Sequence, residues 1–531
     1  MAQHPKLEEN DFAVLRKIFA HLYPYGQSGS PVDFSSRDTS FTIVKSGRLS
    51  FVFTAENGGE KVFLKIAKPG FVTDNIPASV VATEELRINS SVPTIQTYAG
   101  AGGTLSQVVP KELEGVDQEI LKLFAGQRVT LTRGVEIDAI PEDLKSMGAA
   151  MPTLMRELGR MGAKITRGLK SLIGNDEFTA AGTADPFGFR ALRQMFVDDF
   201  RISQEDTHLS SSEVKVKVQA KIDSMISNLD PKDPAAAGFA QGLARGDLIE
   251  ILDMFNAIEA RVSVSLDSYP APNVVIHNEV KPANVGAQLV TSNNTWVVTQ
   301  FYDFDQVALG TLVNGDRTPA EKDLGRSISF LSFDPKTGEF FPDNAKQLIA
   351  GFLERQPVKL TDAQIERLED YIKLGVLTSY PVRSSYLAEE LQGRPTDIKL
   401  GRLDPSIHLV QLKQFDDWLG KNDFKAIVRE LERDEKIERH QRITKIEDEF
   451  LATNAYEVLG SIEGAVQVFS YAIDAAHSLA EGNSWAQSMF DTSVKTLMDK
   501  IPSEQKRSVG NVVKNTFDDI KSVATPDRPY T

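Results

Sequence analysis

Two stretches separated by one polar hairpin constrain this chain more than anything else in it: VVIHNEVKPANV at 274–285 and QFYDFDQVALG at 300–310. Each joins a β-branched or aromatic run, the signature of a strand, to a short polar loop. The first loop carries His277, Glu279 and Asn284, and the second carries Asp303 and Asp305. Phosphoryl transfer asks little covalent chemistry of a protein. It needs a carboxylate near the acceptor hydroxyl, an amide oxygen and a second carboxylate on Mg²⁺, and a cation on the phosphates. Glu279, Asn284 and Asp303 supply residue types for three of those four places.

A candidate for the fourth lies near the N-terminus. GRLSFVF at 47–53, the turn ENGG at 56–59 and KVFLKIA at 61–67 read as a hairpin feeding a strand that carries Lys65. Together these segments resemble the protein-kinase-like superfamily, most of all its branch of aminoglycoside phosphotransferases, choline kinases and methylthioribose kinases. His277, Glu279 and Asn284 stand at the relative positions of that superfamily's catalytic loop, and Asp303 stands in its DFG-like turn. The resemblance implies an α+β, bilobal kinase-like fold: a small antiparallel-sheet lobe, a mainly helical large lobe and, here, a helical C-terminal extension. It implies ATP and Mg²⁺ as cofactors, with Asn284 and Asp303 as metal ligands and Gly47 and Ser50 covering the phosphates. Lys65 would contact the phosphates, fixed by Glu85 of TEELRIN at 83–89, with Glu84 as the alternative. Glu279 would orient or deprotonate the acceptor, His277 would pack and hold the loop backbone, and Asp323 of EKDLGRSISFL resembles an aspartate that buttresses the catalytic loop.

The chain departs from the pattern at named places. Glu279 replaces the usual aspartate, Asn278 the basic neighbour and Asp305 the glycine of the turn, while Gly47 stands alone where protein kinases carry three glycines. Glu279 motivates two alternatives: a pseudokinase acting as an interaction module, and a kinase-fold enzyme performing another transfer such as nucleotidylation. Individually, Lys65 could be a solubility charge on an edge strand and Asn284 a turn residue. No APE motif follows Asp303, so a small-molecule hydroxyl acceptor is expected ahead of a protein substrate.

Composition narrows the setting. The 59 Lys and Arg against 74 Asp and Glu leave a net charge of −15, without the clustered cations that nucleic-acid phosphates demand. The absence of cysteine removes disulfides, thiolate metal sites and a cysteine nucleophile, and fits the cytoplasm. Glu8, Glu9 and Asp11 stand where a signal peptide would need an apolar core, and the most apolar stretch, 459–480, is broken by Glu463 and Asp474, so neither secretion nor a membrane span is expected. P-loop, dinucleotide, H-E-x-x-H and G-x-S-x-G patterns are missing, and the seven histidines are scattered.

Four regions are expected: an N-terminal helix and loop over 1–39, a small lobe over 40–138, a large lobe with a helical insertion over 139–400, and a helical domain over 401–531. Residues 7–24 space Phe12, Leu15, Ile18 and Phe19 as one face of a helix, 41–66 read as antiparallel strands, and 76–89 read as the small lobe's helix. The stretch 121–137 reads as two strands, and 142 onward turns helical, through 187–201, 212–228 and 237–262. Phe424, Ile427, Val428 and Leu431 share a helix face, and ERDEKIERHQRITKIEDEF is expected to continue that helix with a solvated charged face. Its weak a/d periodicity leaves a homodimer through the C-terminal helices open.

Overall fold

The computed structural model describes residues 9–27, 29–46, 50–67, 75–90, 92–134, 140, 151–172, 234–267, 275–278, 280–290, 295–301, 308–309, 319–391 and 406–525, with single positions between 189 and 232. Its first layer is a five-stranded antiparallel sheet formed by β1 (Ser40–Ser46), β2 (Ser50–Asn57), β3 (Glu60–Ala67), β4 (Ser106–Val108) and β5 (Arg128–Arg133), in the order β1-β2-β3-β5-β4. The strands alternate because one face is covered: Phe51, Phe53 and Ala55 of β2 and Val62, Leu64 and Ile66 of β3 are buried. The same apolar cluster takes in Leu15, Ile18, Phe19 and Leu22 from helix α1 (Glu9–Leu22). Asn57 pairs with Glu60 across Gly58 and Gly59, whose φ values of 62° and 85° are those a two-residue hairpin turn requires. On the other face, Lys65 is half-buried and sits between Val52 and Thr130 of the neighbouring strands. Helix α2 (Asn75–Asn89) packs against β4 and β5.

The first of the two strand-like runs at 121–137 is helical. Helix α3 (Gln118–Phe124) starts where the Asp117 carboxylate accepts from the Glu119 amide, and it buries Leu121 and Phe124 one turn apart. The capped start and the three-residue spacing override the β-rich composition; only β5 remains extended.

The large lobe is built on two close helix crossings. In the first, α4 (Met151–Gly168) meets α8 (Pro342–Glu354), where a Cβ on Gly159 would overlap the Leu348 carbonyl and one on Gly351 the Arg156 carbonyl. In the second, α7 (Ala320–Leu331) meets α9 (Asp362–Leu391), and side chains at Gly325 and Gly375 would collide with Tyr371 and with Ser329. Arg367 of α9 reaches the buried Glu321 of α7 at 2.8 Å and donates to Ser265 at 2.8 Å. The helix expected over 237–262 is two helices, α5 (Pro234–Arg245) and α6 (Asp247–Asp267), because Gly246 takes φ +88° and ends the first. The expected helices over 187–201 and 212–228 lie almost wholly outside the described residues.

Two further helices, α10 (Ile407–Leu419) and α11 (Phe424–Leu431), pack into the large lobe's core through Leu412, Phe415, Phe424 and Val428. The charged segment does not continue α11. A new helix α12 (Glu435–Leu451) begins after Asp434, whose side chain accepts from the Lys436 amide. A second core then forms from Ile443 onward, among α12, α13 (Asn454–Gly460), α14 (Ala465–Ala480), α15 (Ala486–Lys500) and α16 (Asn511–Ala524). Part of the charged face of α12 is turned inward: Glu447 and Asp448 both meet Arg167 of α4, so this face is an intrachain interface. Among the described residues no helix is long and apolar enough to cross a membrane.

Candidate functional site

The described residues of the expected site lie on and beside short strands of the large lobe. Strand β6 (Val275–Ile276) pairs with β9 (Ala308–Leu309), and β7 (Val285–Val290) forms a hairpin with β8 (Thr295–Phe301). The segment 277–284 therefore joins β6 to β7, and residues 302–307 join β8 to β9, the partner of β6. His277 directly follows β6, is buried, and sets its ring edge-on to Phe301 at 6.4 Å. Asn284 closes a one-turn 3₁₀ segment, Pro282–Asn284, that enters β7, and is also buried.

Asn278 is clamped on both sides. Its amide donates to Asp323 Oδ1 at 2.7 Å, and its carbonyl accepts from Arg326 Nε at 2.6 Å. Both partners lie on α7, one turn apart, so one rigid helix fixes the two peptide units flanking Asn278. Its φ of +68° is in the left-handed region, which asparagine enters at less cost than most side chains. Burial raises the pKa of Asp323 to about 6, against the lowering effect of the loop amides and of Arg326 and Lys322. The expected buttress at Asp323 is thus present. Arg326, which completes it and stacks over Phe330 at 5.2 Å, was not anticipated from sequence; its position one turn after Asp323 is the only sequence signal that could have found it.

The segment 93–98 stitches the end of β8 to the small lobe. Phe301 donates its amide to the Pro93 carbonyl at 2.8 Å, Thr94 Oγ1 donates to the Thr83 carbonyl of α2 at 3.0 Å, and the Thr97 amide donates to Glu84 at 2.6 Å. Tyr98 then continues the contact by donating to Leu131 of β5 at 2.8 Å. Glu84 is the more buried acid of α2 and also receives Arg87 at 2.8 Å. Glu85 is half-buried, accepts from Asn89 at 3.0 Å, and lies near enough to Tyr456 of α13 that its charge adds to burial in raising that phenol's pKa. Ser50 is buried at the start of β2, opposite Ala67. Gly47, Glu279, Asp303 and Asp305 lie outside the described residues, so the structure describes Lys65, Ser50, Glu84, Glu85, His277, Asn284 and Asp323 of the expected set.

A second polar cluster, invisible as a motif, lies where α4, α8, α12 and α14 meet. Arg156, Arg160, Lys164 and Arg167 form one basic face of α4. The buried Glu354 accepts from Arg156 Nε at 2.7 Å and from Arg160; Lys164 meets Asp474 at 2.8 Å, and Arg167 meets Asp448 at 2.6 Å. Burial opposes the charge on Arg160, but Glu354, Glu157 and Glu481 hold its pKa above the ordinary guanidinium range. Glu354, His440 and Glu481 bring possible ligand atoms within 4.8 Å of one another, the only such group of three found among the described residues. Its carboxylates are already answered by guanidinium groups, and burial together with nearby arginines depresses His440 to about 3 despite Glu354.

No family model matches the sequence, and no curated protein matches it. Solved structures do. A microcompartment-associated aminopropanol kinase matches at 14% identity and a TM-score of 0.44, over 77% of this chain and 98% of its own. An amicoumacin kinase in complex with AMP-PNP and Ca²⁺ matches at 12% identity and 0.45, over 79% and 97%. An ethanolamine kinase of Plasmodium vivax matches at 9% identity and 0.40, over 73% and 84%.

Proposed function

We propose that this chain transfers the γ-phosphoryl group of Mg·ATP to a hydroxyl of a small molecule. The observation that carries the reading is the junction at Phe301. Its ring packs on His277, two residues before Glu279, and its amide is bonded to the segment that holds α2. In sequence Asp303 follows Phe301 by two residues and Glu279 follows His277 by two, and the reading assigns both acids to one site.

In this reading the hydroxyl oxygen forms a bond to the γ-phosphorus as the bond to the β–γ bridging oxygen breaks, releasing ADP. Glu279 takes or orients the hydroxyl proton. Asn284 and Asp303 hold the metal, and their amide and carboxylate oxygens suit a hard cation such as Mg²⁺. Lys65 contacts the phosphates, with Gly47 and Ser50 covering them. We assign Glu85 as the acid that fixes Lys65, with Glu84, which accepts from the Thr97 amide and from Arg87, as the alternative. Support for a small acceptor comes from the sequence, in which no APE motif follows Asp303.

A thermal-shift titration with ATP tests this directly. Binding to the native state alone raises stability by about 2.7 kcal/mol at a hundredfold excess over Kd. The shift should require Mg²⁺ and vanish in Asp303→Ala with the circular dichroism unchanged. A shift indifferent to metal, or the absence of one at millimolar ATP, would overturn the proposal.

A further inference from the structure

The C-terminal helical unit touches the element on which the small lobe's geometry depends. Helix α2 packs on α4, on the 3₁₀ turn Leu169–Leu172 and on α14. Glu85 acts electrostatically on Tyr456, whose ring lies edge-on to Phe450 at 6.1 Å and against Phe469 at 6.2 Å, inside the second core. The unit carrying these rings is in turn tied to the large lobe through α4. Lys164 and Arg355 both bind Asp474 of α14, Arg167 binds Glu447 and Asp448 of α12, and Arg160 pairs with Glu481. Thus α14 is bonded to α4 by charge and packed on α2 at the same time.

We propose that the C-terminal helical unit, α12 to α16, is a built-in brace that holds α2 at the angle required for Lys65 to engage the nucleotide phosphates. The proposal rests on the kinase reading for its consequence, but its mechanical part, control of α2, does not. A small-lobe helix attached only through the 93–98 segment and its own lobe would be free to rock with that lobe. Here it is wedged between α4, which belongs to the large lobe, and α14, which is charge-locked to α4. Releasing α14 removes one wall of the wedge without touching any residue assigned to the phosphates or the metal.

The test is a charge reversal in the full chain. Asp474→Lys opposes Lys164 and Arg355, and should accelerate amide exchange in residues 75–89 while leaving 9–22 and 365–380 as they are. In the same variant KM for ATP should rise about tenfold, within the range usual for coupling between sites, with kcat changed less. Lys164→Glu added to Asp474→Lys should recover much of both effects, which a nonspecific loss of folding would not allow. If Asp474→Lys fails to fold, Asp474→Asn, which removes the charge without reversing it, serves the same comparison. Exchange at 75–89 that stays at the wild-type rate while α14 itself becomes labile would overturn the brace. A wild type that neither binds nor uses ATP would overturn the kinase reading instead, leaving the exchange experiment to decide the brace alone.

Discussion

At the scale of residues, the site is organised by what holds Asn278. A left-handed asparagine in a buried loop persists because Asp323 and Arg326 take its amide and its carbonyl from a single helix turn. The cost falls on Asp323, which burial pushes to about 6 from 3.8. A carboxyl whose pKa is raised on folding stabilises fully below its unfolded value and loses that contribution as pH rises through the folded value. Ionised Asp323 is therefore a liability above pH 6, accepted for the sake of the loop amide. Asp323→Asn keeps an acceptor oxygen and removes the charge. Its stability relative to wild type should improve as pH is raised from 4 to 7, measured by urea unfolding at each pH. A difference between the two proteins that does not move with pH would mean that Asp323 does not titrate in this window.

At the scale of elements, the loop is placed by helices that approach closely enough to exclude a side chain. Gly325 and Gly375 bring α7 against α9, which sets the height of Asp323 and Arg326, while Gly159 and Gly351 seat α4 on α8 backbone to backbone. Gly351→Ala would push a methyl into the Arg156 carbonyl. Overpacking of this kind typically costs 1–3 kcal/mol, so we expect a loss of about 2 kcal/mol in chemical denaturation. Gly162→Ala, on the same α4 with open space at its Cβ, should be neutral or stabilising by comparison. Equal losses for the two would contradict a role for close approach.

At the scale of the whole molecule, the large lobe and the C-terminal unit meet over buried charge, beside a stacked histidine pair inside that unit. His440 and His477 approach at 2.7 Å through their Nδ1 atoms, with rings stacked at 5.0 Å. Burial lowers both pKa values, that of His440 to about 3, with Arg156, Arg160 and Arg355 contributing and Glu354 opposing. A base whose pKa falls on folding contributes stability that is present above its unfolded value near 6.5 and is lost progressively as pH falls toward 3. The helical unit should thus weaken on acidification below about pH 6.5, by as much as ~1.4 kcal/mol per pH step for each proton taken up on unfolding. His440→Gln should flatten that slope, read as denaturant midpoints for the unit between pH 7 and 5. An unchanged slope would place the acid sensitivity elsewhere.

The sequence by itself determined what depends on local pattern. The N-terminal helix, the antiparallel strands around ENGG, helix α2 and the hairpin after Asn284 follow from periodicity and turn chemistry that neighbouring residues carry. The buttress at Asp323 was readable only through the resemblance of EKDLGRSISFL to a family helix. Three things were not. Leu121 and Phe124 look like a strand until the Asp117 cap makes them a helix; Gly246 divides a continuous apolar pattern; and the charged face of α12 looks solvated until the basic face of α4 is laid against it. A long-range ion pair has no period and no fixed separation in sequence, so Arg167 with Asp448, Lys164 with Asp474, and His440 beside His477 exist only once tertiary packing has chosen which helices meet.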